Sequence, residues 1–318
     1  MKYLHLSGLL LAFVACQSSE NQSVSGDQFT VKMDTVMIHP ENEILYLNSS
    51  LYTAKLSPDK KYLYNFNYKE YAIEMIDLDE LKFVSKITLD KEGPNGVGDN
   101  FMGLEIIDVD RFLINSFRKD NIVDQQGKKI AQFDFAKIGK GQDGLEERDN
   151  MQIPLSISAD GNRFAGLVTN WENKTAKLVV VDLDQNQLKK FPAPEIEKAS
   201  KFEIMLNDGE MRMFLDSRRY GAKEGGKIIY GTAVSHELYV LEPETEEFRL
   251  VNYASDFLPP EKTGDYPSEV SSKNEMRTIY EKIQTDINYL YTICKKRTIA
   301  IFAFLFVKIF ILSFPAKN

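Results

Sequence analysis

Few side chains in this sequence are equipped for covalent or metal chemistry. It has three histidines, His5, His39 and His236, and two cysteines, Cys16 and Cys294. A zinc or iron–sulfur site, which draws on clusters of those ligands, has little to be built from. No Gly-x-Ser-x-Gly elbow and no Ser-His-Asp or Cys-His grouping stands out. The glycine-rich stretch Lys91–Asn100, KEGPNGVGDN, lacks the lysine and the strand-then-helix setting of a phosphate loop, so it reads as a tight turn. What remains is non-covalent recognition by aromatic contact and a few oriented polar groups. The candidates are Trp171, the one tryptophan, with Asn170 beside it, then Arg118, His236 and Asn95. Each also has a plainer use. Trp171 can lie over a sheet edge, Arg118 with Lys119 and Asp120 can form a solvated charge cluster, and His236 has no second His or Cys near it.

The elements that must position these residues recur with a period of about fifty residues, the mark of an array or propeller. The first unit runs from Leu51 to Leu89, the second from Leu104 to Phe133, and the third from Leu155 through LKKF. The fourth is looser: MRMFLDS, an insertion RRYGAKEGG, then KIIYGT, ELYVLE and FRLV. Asp59, Asp110 and Asp160 follow the first strand of their units, and Asp77, Asp124, Asp182 and Glu242 end the third. Such acids serve turns, because Asp can hydrogen-bond its own neighbouring backbone. Each unit reads as four short strands rich in Val, Ile, Leu, Tyr and Phe, which is one antiparallel blade. The expected fold is therefore all-β, a β-propeller with four-stranded antiparallel blades; the alternative is a two-sheet sandwich.

On this alignment Asn67 and Tyr68, Phe117 and Arg118, Asn170 and Trp171, and Ser235 and His236 share one rim with KEGPNGVGDN, while Arg218, Arg219 and Tyr220 fall on the opposite rim. Composition limits the partners. Acids outnumber bases by 47 to 39, for a net charge of −8, which disfavours nucleic acid. The chain is 43% hydrophobic, too rich in core formers for disorder. No cofactor and no metal site is implied.

The two ends differ from the middle. Residues 1–15 carry one Lys, an apolar stretch and a small residue before Cys16, the layout of a secretory signal. Phe13-Val14-Ala15-Cys16 resembles a lipobox, with Phe where Leu is usual, which makes Cys16 the expected lipidated N-terminus and the membrane a partner through that lipid. Residues 16–28 read as a flexible tether. Asp34-Thr35-Val36 fits a short O-glycan acceptor pattern. Residues 29–286 form the propeller domain. Ser272 and Glu275 make a capping box that opens a helix over Ser272–Asp286. Residues 287–318 are an anomalous hydrophobic tail, read as a frameshift product or a membrane segment interrupted by Lys308; a strand pair is disfavoured there for want of turn residues.

The lipobox, the tether, the fifty-residue units and Glu92-Gly93-Pro94-Asn95-Gly96-Val97-Gly98 together resemble a family of uncharacterised lipoproteins from Bacteroidota with a six-bladed, TolB-like propeller. The likeness covers about Cys16 to Asp286. It implies a fold and an envelope address and no chemistry. Because 29–286 holds about five units, a six-bladed ring is expected to be incomplete at the C-terminus. The expected function is an outer-membrane lipoprotein, on the periplasmic face, whose rim binds a protein, peptide or glycan. The rival is an envelope hydrolase or lyase using carboxylates at the axis, with a calcium ion, and its sign is two acidic side chains converging in the central channel.

Overall fold

The structure is a computed structural model that describes residues 36–47, 51, 53–116, 119–140, 143–224, 226–242, 245–252, 258–293 and 299–303. The first three units fold as read. The first sheet comprises β1 (Lys55–Leu56), β2 (Tyr62–Asn67), β3 (Ala72–Asp77) and β4 (Lys82–Thr88). The second comprises β5 (Phe101–Ile106), β6 (Arg111–Ser116), β7 (Asp120–Asp124) and β8 (Lys129–Phe133), and the third β9 (Asp149–Ser156), β10 (Arg163–Asn170), β11 (Thr175–Asp182) and β12 (Gln187–Pro192). Each is four-stranded, antiparallel and ordered as the chain runs.

Five of the recurring acids, Asp59, Asp77, Asp124, Asp160 and Asp182, make the turns. In the second unit, by contrast, Asp108 accepts from the Asp110 N–H at 2.9 Å, and in the fourth Glu242 pairs with Lys227 at 2.7 Å. Asp59 Oδ1 accepts from the Lys61 N–H at 3.1 Å while Ser57 Oγ accepts from the Tyr62 N–H at 2.9 Å. Asp160 and Ser158 repeat this with the Asn162 N–H at 3.0 Å and the Arg163 N–H at 3.1 Å. Asp77 takes the N–H groups of Asp79 and Glu80, both at 2.9 Å, and Asp124 those of Gln126 at 3.0 Å and Lys128 at 2.8 Å. These bonds favour the carboxylate. Asp59 is held below the usual range chiefly by the Ser57 hydroxyl, and Asp77 chiefly by the Glu80 N–H.

The fourth unit departs from its expected boundaries. Its first strand is β15 (Arg219–Glu224), the segment expected to be an insertion, followed by β16 (Lys227–Thr232), β17 (Glu237–Glu242) and β18 (Glu247–Asn252). Glycine explains why RYGAKE can serve: a Cβ on Gly221 would stand 2.8 Å from both Ile153 Cγ2 and Tyr230 Cε1, so its absence lets β15 pack beside β9. MRMFL belongs elsewhere. After a short helix α1 (Pro194–Glu197), strands β13 (Ile204–Asn207) and β14 (Arg212–Leu215) form a three-stranded sheet with β19 (Glu269–Val270), in the order β14-β13-β19 and with β13 and β19 parallel. Helix α2 (Lys273–Thr285) covers this sheet, burying Met276, Ile279 and Ile283 against Ile204, Leu206 and Val270. Ser272 Oγ accepts from the Glu275 N–H at 3.2 Å, as the capping box requires.

The sheets pack face to face in succession rather than as two facing layers, so the sandwich alternative does not hold. Aromatic contacts run from sheet to sheet: Tyr64 with Phe112 at 5.0 Å, Phe133 with Phe164 at 5.9 Å, and Phe191 with Phe248 at 5.2 Å. Ring pairs at such distances add directional attraction to the burial of apolar area. The first strands follow the same succession, β1 beside β5, β5 beside β9, and β9 beside β15. The architecture is all-β and propeller-like.

No break in packing marks Asp286. The Tyr289 N–H donates to the Ala233 carbonyl at 3.0 Å, its hydroxyl donates to the Pro259 carbonyl at 2.7 Å, and its side chain is fully buried. Beyond it, β20 (Tyr289–Ile293) and β21 (Ile299–Ala303) pair antiparallel. Among the described residues no helix is long and apolar enough to cross a membrane. Most of the apolar stretch 298–314 lies outside them.

Candidate functional site

Asn170 ends β10 and fixes the turn that follows. Its Oδ1 accepts from the N–H groups of Glu172 and Asn173, both at 3.2 Å, and its Nδ2 donates to Asp149 Oδ1 at 3.1 Å. Asn67 does the same at the end of β2, accepting from Lys69 and Glu70 at 3.0 Å and donating to Glu74 at 2.8 Å. Asn170 is thus a turn device first, and by making that turn it places Trp171. The indole is 47% exposed, with the Arg148 guanidinium 5.7 Å from its ring centre and Arg148 paired with Glu172 at 3.1 Å.

Trp171 borders a cleft of about 340 Å³, within the size range of small-ligand sites. One wall comes from the third sheet: Asn150 and Gln152 on β9, then Thr169 and Asn170, with Lys174 in the turn. The facing wall is Met205, Arg212, Met213 and Phe214 of the β13–β14 hairpin. Glu203, Asp216 and Arg219 close it off. The Arg219 side chain is 6% exposed and donates through Nη2 to Glu203 Oε1 at 2.6 Å and through Nη1 to Asp216. Burial raises the Glu203 carboxyl, opposed by the adjacent guanidinium. Arg219 Nε is buried with no hydrogen-bond partner among the described residues. The site therefore offers an apolar and aromatic surface, two exposed cations and a rigid buried ion pair. Such a surface is suited to holding a molecule.

The other candidates are placed differently. Arg118 and Cys16 lie outside the described residues, as do Asp34 and Thr35. Asn95 is half-buried in a clamped loop: Tyr71 OH donates to the Gly98 carbonyl at 2.6 Å, Lys129 Nζ to that of Gly96 at 2.8 Å, and Asn121 to that of Val97 at 3.3 Å. His236 is 3% exposed, with its ring 4.6 Å from that of Tyr289, and so is a packing group rather than part of an open rim. Arg219 corrects the expectation of an opposite rim, since it is in β15 and lines the cleft with Trp171. The hairpin wall is not legible in MRMFL, which the repeat pattern places in a blade and the structure places in the β14-β13-β19 sheet.

A second cluster joins the first strands of all four blade-like sheets. Glu105 on β5 accepts a backbone hydrogen bond from Ser156 on β9 and feels the charges of Lys55 on β1 and Lys223 on β15. Burial, only partly offset by those cations, pushes its carboxyl up to about 7. The charges acting on it come from Lys55 and Lys223, and among the described residues no three His, Cys, Asp or Glu side chains converge to hold a metal.

Comparison with known proteins places the chain without assigning it chemistry. It is similar to a solved member of the DUF4221 family from Bacteroides vulgatus, at 16% identity over 82% of this chain and 72% of that one, with a TM-score of 0.51; at that identity the likeness shows the fold alone. Weaker similarities reach the β-propeller domain of Cps50 (Swd1) from Myceliophteria thermophila (13% identity, 74% and 60% covered, TM-score 0.36). They also reach the extracellular domain of the putative hybrid two component system BT3049 from B. thetaiotaomicron (12% identity, 72% and 25% covered, TM-score 0.35). No curated protein matches. The family model described as domain of unknown function DUF4221 matches residues 21–293, and the chain belongs to that family.

Proposed function

We propose that this protein is a non-enzymatic binding lipoprotein of the bacterial envelope, and that its ligand seats in the cleft beside Trp171. In this reading residues 1–15 are a signal removed on export, Cys16 carries the lipid, residues 16–28 are the tether, and a six-bladed type of propeller presents the cleft on the periplasmic face of an outer membrane. Support for the address comes from the Phe13-Val14-Ala15-Cys16 sequence and the polar stretch after it. Binding rests on one observation: an exposed tryptophan borders a cleft with methionine and phenylalanine side chains over the buried Arg219–Glu203 pair. Aromatic and apolar surface kept in contact with water, beside oriented polar groups, is what a ligand site requires.

The full chain, screened against peptide and glycan libraries by thermal shift and calorimetry, tests this. Ligands are expected to bind the native protein and Trp171→Phe but to lose roughly tenfold or more with Trp171→Ala. Ligands that bind all three equally place the site elsewhere. Labelling with a palmitate analogue tests the anchor: the label is expected on the native protein and lost in Cys16→Ser.

A further inference from the structure

Arg212, Met213 and Phe214 border the cleft together. Successive residues of a strand point to opposite faces, so three in a row share one cavity where that cavity runs along the strand's edge. β14 has such an edge. It is the outer strand of its sheet, bonded to β13 on one side and to no strand on the other among the described residues. Natural edges are usually blunted by charge, proline or a bulge. Here Arg212 is the single charge, and Met213 and Phe214 stay 40% and 42% exposed.

The charges are as uneven as the surface is apolar. Glu203 and Asp216 are both taken up by Arg219. Lys174 and Arg212, exposed on the two walls, have no ion-pair partner among the described residues. An occupant that completes this site brings backbone N–H and C=O groups for the edge, an apolar side chain for the aromatic wall and carboxylates for the cations. A glycan supplies no strand-like ladder, whereas an extended peptide supplies all three.

We propose that β14 is a strand-addition site, where an extended acidic and apolar peptide segment of a partner protein pairs with its free edge, sets an apolar side chain against Trp171 and Phe214, and brings carboxylates to Lys174 and Arg212. Main-chain pairing supplies affinity in this mode, and alternate side chains supply selectivity. A four-residue strand such as Arg212–Leu215 spans about 13 Å, so about four peptide residues engage it. The proposal rests on the cleft being the binding site.

The test uses the full chain and a library of short peptides in which Glu alternates with varied apolar residues. Binding is measured by calorimetry, and exchange of the β14 amides by mass spectrometry. Library members are expected to bind and to slow exchange at Arg212–Leu215. N-methylation of alternate amides along one edge of a bound peptide is expected to weaken it by roughly tenfold, while the same change along the other edge leaves it nearly unaffected. Replacing both cations, Lys174→Glu with Arg212→Glu, is expected to weaken binding by roughly tenfold and to reduce its salt dependence. Peptides that bind equally well with either edge methylated, with β14 exchange unchanged, overturn strand addition and leave the cleft as the binding site. If no member binds, strand addition fails likewise, and glycan binding that is lost in Trp171→Ala then separates that failure from failure of the cleft itself.

Discussion

Arg219 donates to Glu203 across 2.6 Å at the inner end of the Trp171 cleft, with 6% of the arginine side chain and 7% of the glutamate side chain left to solvent. The pair joins β15 to the segment that leads into β13, and so ties the fourth blade-like sheet to the hairpin forming the cleft's outer wall. Removing one partner of a buried pair leaves an uncompensated charge, which costs about 3–5 kcal/mol. Arg219→Met is expected to destabilise by that amount in urea unfolding, and Glu203→Gln by less, because Asp216 still faces the guanidinium. The double variant Arg219→Met with Glu203→Leu is expected to recover most of the loss. A double variant no more stable than Arg219→Met alone contradicts this account of the pair.

Gly221 tests the reassigned fourth unit. With β15 as its first strand, Gly221→Ala forces a methyl group to within 2.8 Å of Ile153 and Tyr230, and overpacking of that kind costs about 1–3 kcal/mol. If RYGAKE were instead an exposed insertion, the same substitution would leave the unfolding midpoint unchanged.

Glu105 makes stability depend on pH. Folding raises its carboxyl from the usual 4.5 to about 7, so over that interval the folded state keeps a proton that the unfolded chain releases. Its contribution is therefore most favourable below about pH 4.5, declines as pH rises toward 7 and stays low above that. Glu105→Gln removes the ionisation. The variant is expected to be more stable than the native protein at about pH 8, by something on the order of 2–3 kcal/mol, and to differ little at about pH 4. Asp120, which burial also pushes up to about 7, keeps part of the pH slope in the variant. An unchanged difference in melting temperature between the two pH values contradicts the assignment.

Asn67 and Asn170 should behave as equivalent parts of a repeat. Replacing either by Ala removes the acceptor of two turn N–H groups and one hydrogen bond to a buried carboxylate, Glu74 or Asp149, at a cost of about 1–3 kcal/mol. Only Asn170→Ala is expected to shift the emission of Trp171 in the absence of ligand, because only that turn carries the indole.

The blades were legible because local chemistry and pattern agree in them. Ser57 and Asp59, Ser158 and Asp160, and the acids Asp77, Asp124 and Asp182 announce turns whose bonds are made within a few residues. The capping residue Ser272 was legible for the same reason. The cleft was only half legible. Trp171 and Asn170 stood out by residue type, but their opposite wall depends on β13 pairing with β19, more than sixty residues away in the chain, and nothing in MRMFL says which sheet it joins. The burial of His236 likewise depends on Tyr289 arriving from a distant segment. Non-local contacts of that kind leave no periodic trace.

The emission of Trp171, the chain's only tryptophan, tests the central claim most directly. A ligand shown by calorimetry to bind the full chain is titrated while the indole is excited. The account predicts a saturable shift of the emission to shorter wavelength, with the same dissociation constant as the calorimetry, as water leaves the ring. A ligand that binds with the emission unchanged contradicts the placement of the site beside Trp171.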